Sequence, residues 1–483
     1  MKTREWLFLL VLGFFSLSSC GQALSATGGL ELSWSDLPRV FVVPLSSKFN
    51  DDLLLYSKDR ADRSNYCEMF YLTAAKGPVA SEYDQEVSFH WELLKYAKIV
   101  SEPSEADLFY VPYYFSRRAF HCMSRENLGT FHADFAREIE PWLHRYSDPK
   151  LEPRFFMASG EVCSCGTDPH ERQKIGMDMS KCNPFFNNAI DNKNKHLGNF
   201  IRPLAWEQVP RGLLDTIPKN TIMPYLAIQP LPHHATEEES SKTNFSFSFA
   251  VVQPTRRNPE SDREILVLDT AAAFNARRQC VHCGDCDGFD DNGVCPVGCG
   301  GIRDQLSKLL LQHPDKAQLS RGRQKGHSSA HIKENATFCL EPAGDTLTRR
   351  SFYEVIVLGC VPVVFREDQA FLSQLAFSDY VPYKDIWVSL PLERVANMDL
   401  DVVEVLQKIS PEALRTKRRL MQTWAHVFVY DPPTTKPQAP EPINTDTSPP
   451  QGALFHVLAD VFRTSKLTTH RGNSSIAPRQ FLA

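Results

Sequence analysis

The residues with the clearest chemical potential lie together in residues 338–365, which read FCLEPAGDTLTRRSFYEVIVLGCVPVVF. Arg349 and Arg350 are adjacent, and guanidinium groups bind phosphate oxygens through two parallel hydrogen bonds. Glu354 follows about one helical turn later, where its carboxylate could accept hydrogen bonds from the two hydroxyls of a ribose. This combination of residue types predicts a site for an anionic, ribose-bearing ligand.

The turn before the arginines supplies the other parts of such a site. Gly344 lets the backbone approach a phosphate closely, and Thr348 and Ser351 offer hydroxyl groups. A helix that starts after this turn presents unpaired backbone N–H groups and the positive end of its dipole. Two alternatives remain open. The arginines could form a solvated helix face, and Ser351 with Glu354 could form a capping box.

The apolar pattern around these residues places them in a βαβ unit. Residues 336–340 and 361–365 are short apolar runs of strand type, and the helix between them is predicted to stop at Gly359. Along the rest of the chain strands alternate with helices, which is typical of an α/β fold with a parallel sheet. The predicted strands are 39–44, 104–115, 154–159, 221–225 and 245–252, and the predicted helices are 83–97, 131–146, 302–312, 401–424 and 453–462.

Residues 338–365 resemble the signature of the exostosin-like glycosyltransferases, glycosyltransferase family 47, and especially that of the plant xyloglucan galactosyltransferase branch. That signature reads FCL-x-P-x-GD-x-x-TRRS, then an acidic residue three positions after the Ser, then GC-x-PV-x-F. This chain matches every fixed position, with Glu354 where the branch more often has Asp. Five further segments are similar to other parts of the family, namely 40–54, 82–94, 105–112, 244–251 and 256–259.

The resemblance implies a GT-B-like fold, in which two Rossmann-like domains face a cleft. It also implies an inverting glycosyltransferase that moves a sugar from a UDP-sugar to a hydroxyl of a glycan or glycoprotein acceptor. No bound metal or other cofactor is expected, because Arg349, Arg350 and the helix N-terminus would stabilise the departing diphosphate. In this interpretation Gly344, Thr348, Arg349, Arg350, Ser351 and Glu354 hold the donor.

An inverting transfer also needs a base that removes the proton from the acceptor hydroxyl. Glu161 ends the predicted third strand, and it would lie at the cleft if that strand points its C-terminal end there. Glu86 and His90, on an early helix, are rivals, and a solvated or packed role stays open for all three residues. Glu161 is our candidate for the catalytic base.

The chain has 483 residues, which is more than one hydrophobic core usually serves. A polar stretch at 229–243 sets the predicted boundary between two domains, and His233 and His234 are interpreted as part of this linker because no further ligand stands at a metal-site spacing. The predicted segments are a signal peptide or short membrane anchor at 1–26, an acceptor-side Rossmann-like domain at 36–235, a nucleotide-sugar donor domain at 244–430 with a Cys-rich insert at 280–299, a Pro-rich loop at 431–450 and a C-terminal helix at 451–466.

The N-terminus predicts entry into the secretory pathway. Lys2 and Arg4 precede twelve apolar residues and then small ones, which favours a cleaved signal peptide over a short uncleaved anchor. Thirteen Cys, or twelve when Cys20 leaves with the signal, are compatible with disulfides. The expected location is the Golgi lumen, with secretion as the alternative. Three glycosylation sequons are compatible with this, at Asn244, Asn335 and Asn473.

Metal sites, nucleic-acid binding and a non-catalytic function have weaker support in the sequence. The insert reads C-x2-C-x2-C-x8-C-x3-C with four Asp inside it; disulfides are favoured, and structural zinc and bound calcium remain alternatives. Two Asp-x-Asp pairs, at 285–287 and 399–401, are expected by chance and do not indicate a metal-dependent transferase.

The formal net charge of −5 gives no basic field, so no nucleic-acid partner is expected. The alternative function is a secreted, non-catalytic carbohydrate-binding or structural protein on a transferase scaffold.

Overall fold

The protein is described by a computed structural model. The predicted targeting segment, residues 280–298 of the Cys-rich insert and the Pro-rich loop lie outside the residues that it describes. Those residues are 34–54, 65–67, 85–124, 128–147, 153–159, 200–205, 221–224, 228–230, 249–251, 265–269, 299–319, 329–342, 348–367, 369–430 and 451–469.

The first half of the chain contains a parallel sheet with helices packed against it. In chain order its elements are β1 (Arg39–Val42), β2 (Asn65–Cys67), α1 (Gln85–Tyr96), β3 (Lys98–Ile99), β4 (Leu108–Tyr110), α2 (Phe115–His121), β5 (Cys122–Ser124), α3 (Leu128–Tyr146), β6 (Phe155–Ala158), β7 (Ile201–Ala205) and β8 (Thr221–Ile222). Six strands pair in the order β3-β1-β4-β6-β7-β8, every neighbour parallel. β2 and β5 form a separate antiparallel pair.

The strand predicted at 104–115 is wrong at both ends. Pro103–Glu105 forms a 3-10 helix, β4 covers only Leu108–Tyr110, and Phe115 begins α2. Two prolines explain the short strand. Pro103 fits the first position of a helical turn, and Pro112 has no amide hydrogen to donate to a strand ladder.

The second half contains a five-stranded parallel sheet. Its elements are β9 (Ile228–Pro230), β10 (Phe249–Val251), β11 (Ile265–Asp269), α4 (Cys299–Leu310), β12 (Ala317–Leu319), α5 (Ser329–Glu334), β13 (Ala336–Leu340), α6 (Arg350–Val357), β14 (Val361–Val364), α7 (Gln369–Leu372), α8 (Tyr383–Ile386), β15 (Val388–Ser389), α9 (Leu392–Ala396), α10 (Val402–Gln407), α11 (Pro411–Trp424) and α12 (Ala453–Thr469). The strand order is β12-β11-β13-β14-β15, so β13 is central and fully buried. Two parallel sheets flanked by helices confirm the predicted α/β fold class with a GT-B-like arrangement.

Two predictions for this half need correction. The strand predicted at 245–252 forms as β10, but it pairs antiparallel with β9 and lies outside the parallel sheet. The helix predicted at 401–424 is two helices, because Ser410 caps a new one through its hydroxyl, 3.2 Å from the Ala413 amide, and Pro411 follows at the first helical position. None of the helices in the described ranges is both long and apolar enough to cross a bilayer.

The last helix, α12, joins the two halves. Phe455 packs edge-on against Trp34 with ring centroids 5.3 Å apart, and Thr464 accepts a hydrogen bond from Arg202 of β7. On the side of the second half, His456 Nδ1 lies 3.0 Å from the Tyr380 hydroxyl. One hydrophobic cluster therefore runs from the first sheet through α12 to the second sheet.

The position of His456 predicts a pH dependence of stability. Burial, and then the nearby His426, lower the pKa of His456 from 6.5 to about 4. In the unfolded chain the ring takes up its proton near pH 6.5, so unfolding binds a proton between these two values. The free energy of unfolding is therefore highest, as far as His456 is concerned, above pH 6.5. It falls by up to about 3 kcal/mol as the pH falls towards 4, because protonation favours the unfolded chain.

Urea unfolding of the full chain at pH 4.5, 5.5 and 7 would measure this effect. In His456→Gln the free energy of unfolding should change less with pH than in the parent chain. An equal pH dependence in the two proteins would contradict the assignment to His456.

Candidate functional site

The structure brings the predicted site residues to the C-terminal end of β13. Glu341 extends the strand, since its amide donates to the Val363 carbonyl 2.8 Å away. Helix α6 then begins at Arg350. Arg349, which we expected on this helix, is the extended residue before it, with φ −144° and ψ 152°. Gly344 lies outside the described residues. Ligands of open α/β sheets bind at this edge, where strands end and helices begin.

The end of α6 follows the prediction. Gly359 has φ 74°, a left-handed conformation that glycine adopts without steric cost. Its amide donates to the Ile356 carbonyl, and the next amide, of Cys360, donates to the Val355 carbonyl. This pair of bonds is a Schellman motif, which ends the helix and turns the chain directly into β14.

The two arginines are held by the protein and do not form a solvated helix face. Arg349 Nη1 donates to the Pro342 carbonyl at 3.2 Å and lies 3.7 Å from Glu341 Oε2. Arg350 Nε lies 3.0 Å from Glu354 Oε1, and 36% of this side chain is exposed. Each arginine therefore has a carboxylate partner at the start of α6.

Glu354 lies in the interior, with only 3% of its side chain exposed. One carboxylate oxygen, Oε1, faces Arg350, and the other, Oε2, accepts a hydrogen bond from the ammonium group of Lys333 on α5. Both oxygens of this carboxylate therefore lie against cationic side chains. A ribose hydroxyl at Glu354 would share the carboxylate with these two side chains.

The capping-box interpretation of Ser351 and Glu354 is wrong. Ser351 is the second residue of α6, and its hydroxyl donates to Glu341 Oε1 at 2.8 Å. The preceding residue, Arg349, makes no side-chain cap bond. Burial raises the pKa of Glu341 above its usual range, although Arg349, Lys333 and the Ser351 hydroxyl act in the opposite direction.

Thr348, the predicted hydroxyl before the arginines, is buried. Glu161 lies outside the described residues, so its position relative to the site stays a prediction. Glu86 is buried, and its two oxygens accept from the amides of Ser116 and Arg117 at 2.9 and 3.3 Å. His90 is also buried, with Nδ1 2.6 Å from the Tyr114 hydroxyl. Both rivals of Glu161 thus have packed, hydrogen-bonded positions.

Sequence reasoning missed Lys333 and Glu341. Glu341 occupies a variable position of the signature, and only its place at the end of a strand marks it. Lys333 precedes the signature, and no local pattern distinguishes it. The structure also contains a disulfide between Cys339 of β13 and Cys360, whose Cα atoms lie 5.8 Å apart. The sequence predicted disulfides in general but did not predict this pair.

Asp401, of the chance Asp-x-Asp pair, has a structural role. Its carboxylate caps α10 by accepting from the Glu404 amide at 3.0 Å, and it also meets His313 Nε2 at 2.6 Å. Burial raises the pKa of Asp401, but these hydrogen bonds outweigh burial and lower it overall. This arrangement agrees with the interpretation that the pair is no metal motif.

Comparison with known proteins agrees with the predicted resemblance. Residues 227–409 match the Exostosin GT47 domain, and this range contains every described residue of the site. An Arabidopsis thaliana protein named xyloglucan-specific galacturonosyltransferase 1 is 22% identical over 400 residues, which are 80% of this chain and 52% of that protein. Another, named probable xyloglucan galactosyltransferase GT15, is 24% identical over 415 residues, 77% of this chain and 76% of that protein.

The chain thus spans about half the length of the first relative and about three quarters of the second. A solved structure of Arabidopsis thaliana UGT89C1 complexed with quercetin is 10% identical and overlaps 89% of this chain and 99% of that one, with a TM-score of 0.28. This overlap is too weak to bear on the fold. The predicted resemblance to family 47 and its plant xyloglucan branch is confirmed by the domain match and the relatives.

Proposed function

We propose that this chain is an inverting glycosyltransferase that moves a sugar from a UDP-sugar to a hydroxyl of a glycan, because residues 227–409 match the Exostosin GT47 domain. The observation that carries the proposal is the position of Arg349 and Arg350. They lie at the N-terminus of α6, at the edge of the sheet where β13 ends. Cations are unfavourable at the positive end of a helix dipole unless anions lie beside them. Glu341 and Glu354 are two such anions, and in this proposal the diphosphate of the donor adds to them.

The proposed donor site uses this geometry directly. Arg349 and Arg350 bind the diphosphate and stabilise the negative charge that develops on it as the sugar leaves. Glu354 accepts hydrogen bonds from the ribose hydroxyls. Thr348, Ser351 and the glycine of the preceding turn, Gly344, complete the cradle. In this proposal the arginines and the helix supply the positive charge, and the reaction proceeds without a resident metal.

The names of the relatives suggest where to look for the substrates. Both relatives are named for xyloglucan, but one is named for galacturonosyl transfer and the other for galactosyl transfer. The sugar moved by this chain therefore needs a direct test. UDP-galactose and UDP-galacturonic acid are the first donors to try, with xyloglucan as the first acceptor.

The proposed location is the secretory pathway, most simply the Golgi lumen, with or without membrane attachment through the N-terminal segment. The Cys339–Cys360 disulfide supports this location, because disulfides persist in oxidising compartments. Expression of the full chain through the secretory route of a eukaryotic host is accordingly the appropriate source of protein.

The test of the proposed function is a screen of the purified chain with a panel of UDP-sugars, with and without xyloglucan, followed by release of UDP. We expect hydrolysis or transfer from at least one donor. A calorimetric titration with UDP accompanies the screen. Failure to bind UDP would contradict the donor site, whereas binding without turnover of any donor would support a non-catalytic carbohydrate-binding protein.

A separate prediction concerns the proposed base, Glu161. Glu161→Gln should reduce transfer by about 10²-fold or more and leave the affinity for UDP near normal, because the amide cannot take the proton of the acceptor hydroxyl. Glu102→Gln, which changes an exposed carboxylate of the first half in the same way, is the matched control. Full activity of the Glu161 variant would remove this residue as the base.

A further inference from the structure

The buried cluster at α6 has an uneven charge balance. Within the described part of the site, three cations, Lys333, Arg349 and Arg350, face two carboxylates, Glu341 and Glu354. Glu341 lies closest to Arg349, while Glu354 is shared by Lys333 and Arg350. Within these described residues the cluster has one more cationic side chain than it has carboxylates, and Lys333 is the cation that shares its carboxylate with an arginine.

Lys333 is an unusual member of this cluster. Its ammonium group is buried, with 3% of the side chain exposed, whereas 36% of Arg350 is exposed. Of the two cations at Glu354, Arg350 therefore has more surface on which to meet a ligand. Burying an ammonium group is costly unless a carboxylate is beside it, and Glu354 meets that need.

Because Lys333 and Arg350 share Glu354, this carboxylate neutralises less of the charge on Arg350. A carboxylate that faces a single arginine cancels most of the charge on that arginine. When Lys333 occupies Oε2, the negative charge of Glu354 is divided between two cations, and Arg350 meets it through Nε.

We propose that Lys333 is a positioning residue of the donor site: it neutralises Glu354 so that the charge of Arg350 acts on the diphosphate of the nucleotide sugar. This inference rests on the proposed function, since it concerns the same site. It assigns a role in donor binding to a residue outside the signature, on a helix that precedes β13. The role operates through charge and does not require contact between Lys333 and the ligand.

The experiment compares the affinity for UDP with the affinity for uridine, measured by calorimetric titration and by competition. Their ratio isolates the contribution of the phosphates from that of the ribose. We expect Lys333→Met to lower this ratio about tenfold, because the negative charge of Glu354 then acts on Arg350 without being shared by Lys333. In the double variant Lys333→Met/Glu354→Gln the negative charge is also gone, and the ratio should return to the value of the parent chain or exceed it, even if ribose binding weakens.

A merely structural role for Lys333 predicts a different result. It would lower the affinities for UDP and uridine together and leave the ratio unchanged in Lys333→Met, which would overturn the inference. If this variant does not fold, the double variant decides, since it leaves no unpaired charge in the interior. A ratio below that of the parent chain would then refute the role of Lys333. Absence of UDP binding in the parent chain would instead refute the proposed function.

Discussion

Arg350→Ala is expected to reduce glycosyl transfer by about 10²- to 10³-fold, the range found when one preorganised donor to a developing negative charge is removed. The affinity for UDP should fall as well, because the guanidinium fork binds phosphate oxygens before and during the reaction. Arg350→Lys keeps the charge and loses the fork, so its activity should lie between those of the parent chain and the alanine variant.

The same substitution should have little effect on stability. Arg350 is the first residue of α6, where the helix dipole disfavours a cation, and Glu354 keeps Lys333 as a partner after Arg350 is removed. Loss of activity with unchanged urea unfolding would therefore be the signature of a binding residue. The control is Arg419→Ala, which removes one exposed arginine from α11 and changes the net charge equally. Normal activity of Arg350→Ala would contradict the donor site.

Glu354→Gln is expected to lower the free energy of unfolding by about 3–5 kcal/mol, the cost of breaking a buried ion pair by removing one partner. The reason is Lys333, whose ammonium group would stay in the interior without the carboxylate that now faces it. Urea unfolding of the UDP-free protein measures this loss. Such a loss is a large part of the stability of an ordinary domain.

Removing both charges should be far less harmful than removing one. In Lys333→Met/Glu354→Gln the interior no longer contains an uncompensated charge, and stability should recover to within about 1–2 kcal/mol of the parent chain. Glu140→Gln is the matched control, because Glu140 pairs with His144 on the surface of α3 and exposed pairs contribute little. If Glu354→Gln unfolds like the control, the buried pair with Lys333 is not a significant source of stability.

The sequence was most informative where structure is decided locally. The apolar runs at β13 and β14 predict strands, and Gly359 predicts the end of α6, because strand pattern and left-handed backbone depend on nearby residues only. The signature in residues 338–365 likewise predicted the resemblance to glycosyltransferase family 47 that the comparisons support. Local reasoning was less accurate where proline divides a continuous pattern, as in the strand predicted at 104–115 and the helix predicted at 401–424.

Only the tertiary structure decided which charges meet. Ser351 and Glu354 stand at a spacing that fits a capping box, yet Ser351 bonds Glu341 and Glu354 bonds Lys333, 21 residues away in the chain. Similarly, the apolar pattern of α12 predicts a helix, but its contact with Arg202 of β7 cannot be seen in the sequence. Helical periodicity and turn chemistry act over a few residues, whereas an ion pair in the interior depends on how whole elements pack. The sequence by itself therefore determined that two arginines lie where a helix begins after a strand, and the packing of α5 against α6 decided how their charge is balanced.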